Sequence, residues 1–98
     1  MAKEMVMVIF NSSIEEEMVE ALKAAGMECF TKIPGVHGSG EESEPRLDSH
    51  VWPGTNTMLM ICADETSKGP LLDAVRQLEE RHRTEGVRAF VIPVSESI

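Results

Sequence analysis

The sequence predicts an α+β fold whose strands and helices follow the order βαββαβ. Three observations carry this expectation. Four runs of strand length and largely apolar character occur at residues 5–10, 28–33, 57–63 and 87–94. Stretches with apolar residues at helical spacing follow the first and the third run, and Gly or Pro stands at most of the breaks. This order is the split βαβ, or ferredoxin-like, pattern, a four-stranded antiparallel sheet with two helices on one face.

Met5, Val6, Met7, Val8, Ile9 and Phe10 form an unbroken apolar run, as expected of a buried strand. Asn11, Ser12 and Ser13 end it and open a helix. Ser12 or Ser13 is the expected N-cap, because Glu15 and Glu16 each stand three residues on in capping-box position. Glu15, Glu16 and Glu17 also favour the positive end of the helix dipole. The helix is expected to run to about Ala25, with Ile14, Met18, Leu22 and Ala25 on one face and Gly26 as its left-handed stop. In residues 28–33, Cys29, Thr31 and Ile33 alternate with Glu28, Phe30 and Lys32, a mixed pattern that suits a strand near a sheet edge, ended by Pro34 and Gly35. Residues 57–63 (TMLMICA) are again apolar on both faces. A second helix is expected to be entered near Pro70, after a turn over residues 64–68, with Leu71, Val75, Leu78 and His82 inward and Gly86 as the stop. Pro93, near the end of the last strand, fits an edge position or a bulge.

The length of 98 residues allows one domain, spanning 1–98. A formal charge of −8, with nine Lys and Arg against seventeen Asp and Glu and no basic run, excludes nucleic acid as a partner. The chain has only three Phe, one Trp and no Tyr, which leaves few aromatics for an RNA-binding sheet face. No apolar stretch approaches the roughly 18 to 20 residues that span a bilayer, so the protein is not expected to be membrane-embedded. Cys29 and Cys62 both fall inside expected strands and read as buried small hydrophobes of a cytoplasmic protein. They are too far apart for a C-x-x-C clip.

One tension in the pattern is informative. A two-layer fold leaves one face of its sheet without helices, and that face should be polar if it meets water. The first and third strands are apolar on both faces. Exposing the second face would leave a patch larger than the few hundred Å² a monomer tolerates, so it is expected to be buried against other copies of the chain.

Between the second and third strands lies a long loop, residues 34–55, rich in Gly, Pro and His. Loops of this length in a compact domain tend to be functional. Its GVHGSG half, from Gly35 to Gly40, has the small residues and free N–H groups of an anion-binding nest, without the Lys-Ser/Thr ending of a P-loop. Trp52 and the Pro53-Gly54 corner stand where the loop returns to the sheet. His37 and His50 flank Glu41, Glu42, Glu44 and Asp48, types that could hold a divalent metal ion such as zinc, although the spacing matches no metal motif. No serine sits in a nucleophile-elbow context and no catalytic constellation is evident, so an enzyme is not expected.

The succession VEALKAAGM, FTKIPGVHGSG, MLMICADE and VRAFVIPVSESI resembles the P-II signal-transduction superfamily along nearly the whole chain. The FV-x-PV strand followed by acidic residues is the most specific part. The resemblance implies homotrimers of ferredoxin-like subunits whose sheets face inward. It further implies an adenine nucleotide in the cleft between subunits and a long loop that docks on a target enzyme or transporter. Gly35 matches the base of that loop, and the candidate ligand contacts are Gly35, Val36, His37 and Gly38, with Arg46 and Arg88 as anion partners. The related CutA-type trimers, linked to divalent-cation tolerance, imply the alternative of a metal-binding trimer using His37 and His50. The departures are specific. With no tyrosine, uridylylation of a loop tyrosine is impossible. The Gly-rich segment before the last strand is reduced to TEGVRAF, where Arg88 replaces the family lysine. The family's C-terminal arginines have no counterpart after Val94, and Cys29 stands where the family usually offers a small hydroxyl to the base.

Overall fold

The computed structural model describes residues 3–38 and 54–98. They form β1 (Lys3–Asn11), a 3-10 turn (Ser12–Ile14), α1 (Glu15–Ala24), β2 (Thr31–Val36), β3 (Asn56–Ala63), α2 (Glu65–Arg81) and β4 (Arg88–Val94). The strands make one sheet of order β2-β3-β1-β4 with every neighbouring pair antiparallel. This is the expected ferredoxin-like arrangement. The two strands that are apolar on both faces, β1 and β3, are the two with a neighbour on each side.

Strand alternation sorts the sheet into two faces. Val6, Val8 and Phe10 of β1 and Leu59, Ile61 and Ala63 of β3 point to the helices. There they share one core with Met18 and Leu22 of α1 and Leu71, Val75 and Leu78 of α2. Full burial of each such side chain contributes about 1.5 to 3 kcal/mol. Ion pairs tie the rim: Lys68 of α2 with Glu4 of β1 joins helix to sheet, and Arg81 at the end of α2 with Glu17 of α1 joins the two helices. His82, expected on the inner face of the second helix, instead follows the helix and bonds Glu17 Oε1 at 3.0 Å.

The opposite face carries the other set. The registers align Met60, Met7 and Phe90 in one row, Ile33, Met58, Ile9 and Arg88 in a second, and Cys62, Met5 and Ile92 in a third. Phe90 is 54% exposed and Ile92 45%. No described element covers these rows.

Three local expectations are corrected. The first helix is preceded by the 3-10 turn, and the capping side chain is that of Asn11, whose Oδ1 accepts from the Ser13 amide at 2.9 Å. Neither serine caps α1. The second strand begins and ends later than its pattern implied, because Pro34 and Gly35 do not terminate it. They occupy an irregularity between the Ile33↔Met58 and Val36↔Asn56 pairs, with Gly35 at φ +69°. A proline is tolerated there because β2 is an edge strand. Finally, α2 starts at Glu65, not near Pro70, which lies inside the helix. Asp64 opens it by accepting from the amides of Thr66 and Ser67, both at 3.0 Å, while its own amide donates to Ser67 Oγ at 3.2 Å. A reciprocal cap of this kind satisfies orphan backbone donors a turn earlier than a proline at the first helical position would.

Leu59 is wholly buried at the centre of the helix-facing side. Leu59→Ala is expected to cost about 2 to 5 kcal/mol in urea unfolding; a loss below about 1 kcal/mol would show that the helices do not pack on β3.

Candidate ligand-binding site

Two regions at opposite ends of the sheet carry the candidate chemistry. At the first end β2 and β1 finish while β3 and β4 begin. Here the 34–55 loop leaves and returns, and its exit is held by a polar network. Ser12 N donates to the Thr55 carbonyl at 3.0 Å, and Ser12 Oγ lies 3.3 Å from Thr55 Oγ1 and 2.9 Å from Thr57 Oγ1. Thr57 is buried and donates to Glu15 Oε1 at 2.9 Å, while Lys32 of β2 bonds Glu15 Oε2 at 2.5 Å. The carboxylate of Glu15 thus ties α1, β2 and β3 together below the loop.

The expected loop-base contacts lie on this platform. Val36 is half-buried opposite Asn56, His37 is exposed, and a Cβ on Gly38 would stand 3.5 Å from Asn56 Nδ2. Gly35 keeps the left-handed backbone that a nest requires. Arg88 begins β4 at the same end of the sheet, opposite Ile9. Its guanidinium donates to the Val87 carbonyl at 2.7 Å. The turn before it reaches inward, where Asn11 N donates to the Glu85 carbonyl at 3.0 Å. Three strand spacings, roughly 14 Å, separate the β2 and β4 edges. A ligand touching both must lie across the end of the sheet or bridge two copies. Arg46 and His50 lie outside the described residues.

The second region was not anticipated. At the other end of the sheet a cavity of about 540 Å³ opens between the α1–β2 connection, the end of β3 and the start of α2. Gly26, Cys29, Cys62, Asp64, Thr66 and Ser67 are among its lining residues. The volume falls within the range of small-molecule sites. Of its two carboxylates, Glu28 and Asp64, the second is committed: hydrogen bonds from Thr66 and Ser67 hold Asp64 below the usual carboxylate range. Both cysteines are exposed rather than buried, which corrects the expectation. Cys62 points to the open sheet face, and Cys29 precedes β2 instead of lying within it. The sequence signal for this cavity was the stretch AGMEC after the first helix, whose Gly26 turns the chain away at φ +110°.

Metal chemistry has less to build on. Among the described residues, His37 has no grouped partners and no cluster of three or more His, Cys, Asp or Glu side chains is suited to a metal ion. Among the described residues, no helix is long and apolar enough to cross a membrane.

Comparison with known proteins adds to this geometry. The family model described as nitrogen regulatory protein P-II matches residues 3–98. No curated protein sequence matches. Among solved structures, CPII, a nitrogen regulatory PII-like protein from Thiomonas intermedia bound to ADP, AMP and bicarbonate, superposes with a TM-score of 0.76 at 18% identity. The match covers 96% of this chain and 93% of that one. A PII-like signaling protein from Thermus thermophilus is 25% identical with a TM-score of 0.67, covering 95% and 86%. CutA1 from Oryza sativa, at 14% identity, has a TM-score of 0.66 with 99% and 84% covered.

The Glu15 network makes a pH-dependent contribution. The Lys32 ammonium, aided by the Thr57 hydroxyl and opposed by partial burial, holds the Glu15 carboxyl below its ordinary value. A depressed folded-state value stabilises the fold above the unfolded value of about 4.3 and ceases to do so as pH falls through the folded one. Glu15→Gln should therefore melt below the wild type at pH 7, and the gap should close as pH drops below about 4. A gap independent of pH in thermal melts would show that the carboxylate charge is not what holds the loop platform.

Proposed function

The chain belongs to the nitrogen regulatory protein P-II family, and on that premise we propose that it is a non-enzymatic, cytoplasmic ligand sensor. It works as a homotrimer and binds an adenine nucleotide, ADP or AMP, in the cleft between copies. Binding sets the 34–55 loop, which docks on a target enzyme or transporter.

The observation that carries this reading is the cavity of about 540 Å³ beside Cys29, the position where the family resemblance places a base contact. Asp64 suits the base rather than the phosphates. Its carboxylate occupies the positive end of α2, so phosphate oxygens gain nothing there. The candidate anion contacts, the Gly35 to Gly38 segment and Arg88, stand at the other end of the sheet. The two ends are separated by the length of β3, eight residues, or roughly 24 Å. That is too far for one nucleotide within one copy. Packing the apolar open faces of several copies brings the loop base of one to the cavity of the next, and a site shared between copies follows. The support from solved relatives is that the Thiomonas protein was seen with ADP, AMP and bicarbonate.

A thermal-shift titration tests the reading. ADP or AMP, with and without bicarbonate, should raise the melting point, since a ligand at a hundred times its Kd stabilises the folded state by about 2.7 kcal/mol. Arg88→Ala should weaken ADP at least about tenfold, the loss of one charge-assisted contact. No shift with any adenine nucleotide would overturn the nucleotide reading, and unchanged affinity in the variant would remove Arg88 from the site.

A further inference from the structure

We propose that Cys29 and Cys62 are a reversible redox pair whose disulfide closes the cavity by pinning the α1–β2 connection onto β3. The starting point is register. Thr31 pairs with Met60, Lys32 with Leu59 and Ile33 with Met58. Were the ladder continued outward by two residues, past its end at Thr31, Cys29 would stand directly opposite Cys62. Directly opposed residues of antiparallel strands have Cα atoms about 4.5 to 5.5 Å apart, inside the range of about 4.4 to 6.8 Å that a disulfide spans.

Three further observations make the pair reactive rather than structural. Both cysteines are free and exposed in the single chain, and both residues line the same cavity. The ladder stops at Thr31, and residues 28–30 are exposed and outside any strand, between the buried anchor Met27 and the start of β2. Only this short segment has to move. With no third His, Cys, Asp or Glu grouped with the thiols among the described residues, a metal site is the weaker use of the pair.

The oxidant class is a low-molecular-weight disulfide such as oxidised glutathione. One cysteine thiolate attacks a sulfur of that disulfide, forming a mixed disulfide and releasing one glutathione thiolate, which takes up a proton. The second cysteine attacks the protein-side sulfur, forms the Cys29–Cys62 bond and releases the second glutathione. The protein loses two protons and two electrons, and the oxidant becomes two thiols. A reductant reverses the exchange. Disulfides in reducing compartments are mostly of this transient, sensing kind.

Closure extends the β2–β3 ladder across the cavity wall and narrows the space between residue 29 and α2. The effect on ligand rests on the nucleotide reading above. The effect on the thiols does not.

The experiment treats the purified full chain with oxidised glutathione, maps crosslinks by non-reducing peptide mass spectrometry and titrates ADP before and after. An intramolecular Cys29–Cys62 crosslink is expected, with ADP affinity reduced at least about tenfold and restored by dithiothreitol. Cys29→Ser and Cys62→Ser should each stop at a single glutathione adduct. Mixed disulfides only, crosslinks only between copies, or an internal crosslink with unchanged ADP affinity would overturn the proposal. If the reduced protein shows no ADP binding, the nucleotide reading fails. The crosslink map still decides the pair.

Discussion

The constraint on which the rest of the structure depends is that β1 and β3 are apolar on both faces. A central strand in a two-layer fold needs one apolar face to receive the helices, and Val6, Val8, Phe10, Leu59 and Ile61 meet that need. Met5, Met7, Ile9, Met58 and Met60 do not. They lie in rows with Ile33, Phe90 and Ile92 across the full width of the sheet, where no described element covers them. Hydrophobic burial is roughly proportional to area, so a face this wide favours association. Methionine is well suited to such a face, since its unbranched, polarizable side chain adapts to a partner surface.

The proposed association through that face would also account for how the chain divides its chemistry. The loop base and Arg88 stand at one end of the sheet, and the cavity with Asp64 and both thiols stands at the other. The first offers Arg88 beside a cavity of about 240 Å³, and the second offers a larger, half-open cavity of about 540 Å³ lined by Lys3 as well as Asp64. In the proposed trimer, copies joined through their sheets would make the two halves meet. The network of Ser12, Thr55, Thr57, Glu15 and Lys32 then gives the loop a fixed root, so that a ligand at the base has a rigid platform to act against.

Much of this was legible in the residues. The element order, the edge position of the second and fourth strands and the doubly apolar central pair follow from period-two patterning and from where the polar residues interrupt it. The errors share one cause: each gave a single residue type more weight than its hydrogen-bonding context. Pro34 and Gly35 read as a strand end, but an edge strand absorbs them in an irregularity. Pro70 read as a helix entry, but the Asp64 cap opens α2 a turn earlier. Cys29 and Cys62 read as core residues from composition. The exposure of Cys29 was hidden because it depends on β2 starting only at Thr31, and that of Cys62 because it depends on which face of β3 the helices leave open. The cavity was hidden too, since it is made where three elements stop short of one another, and no local pattern records such a gap.

Light scattering coupled to size exclusion, at concentrations down to the low micromolar range, tests the central claim most directly. The proposed homotrimer, with the open sheet face buried between copies, predicts three times the chain mass for the wild type. It predicts a shift toward monomer when Met7, at the middle of the open face, is replaced by Asp. A wild-type protein that runs as a monomer at every concentration would contradict the account, because the apolar face would then be tolerated in water and no second copy would complete the site.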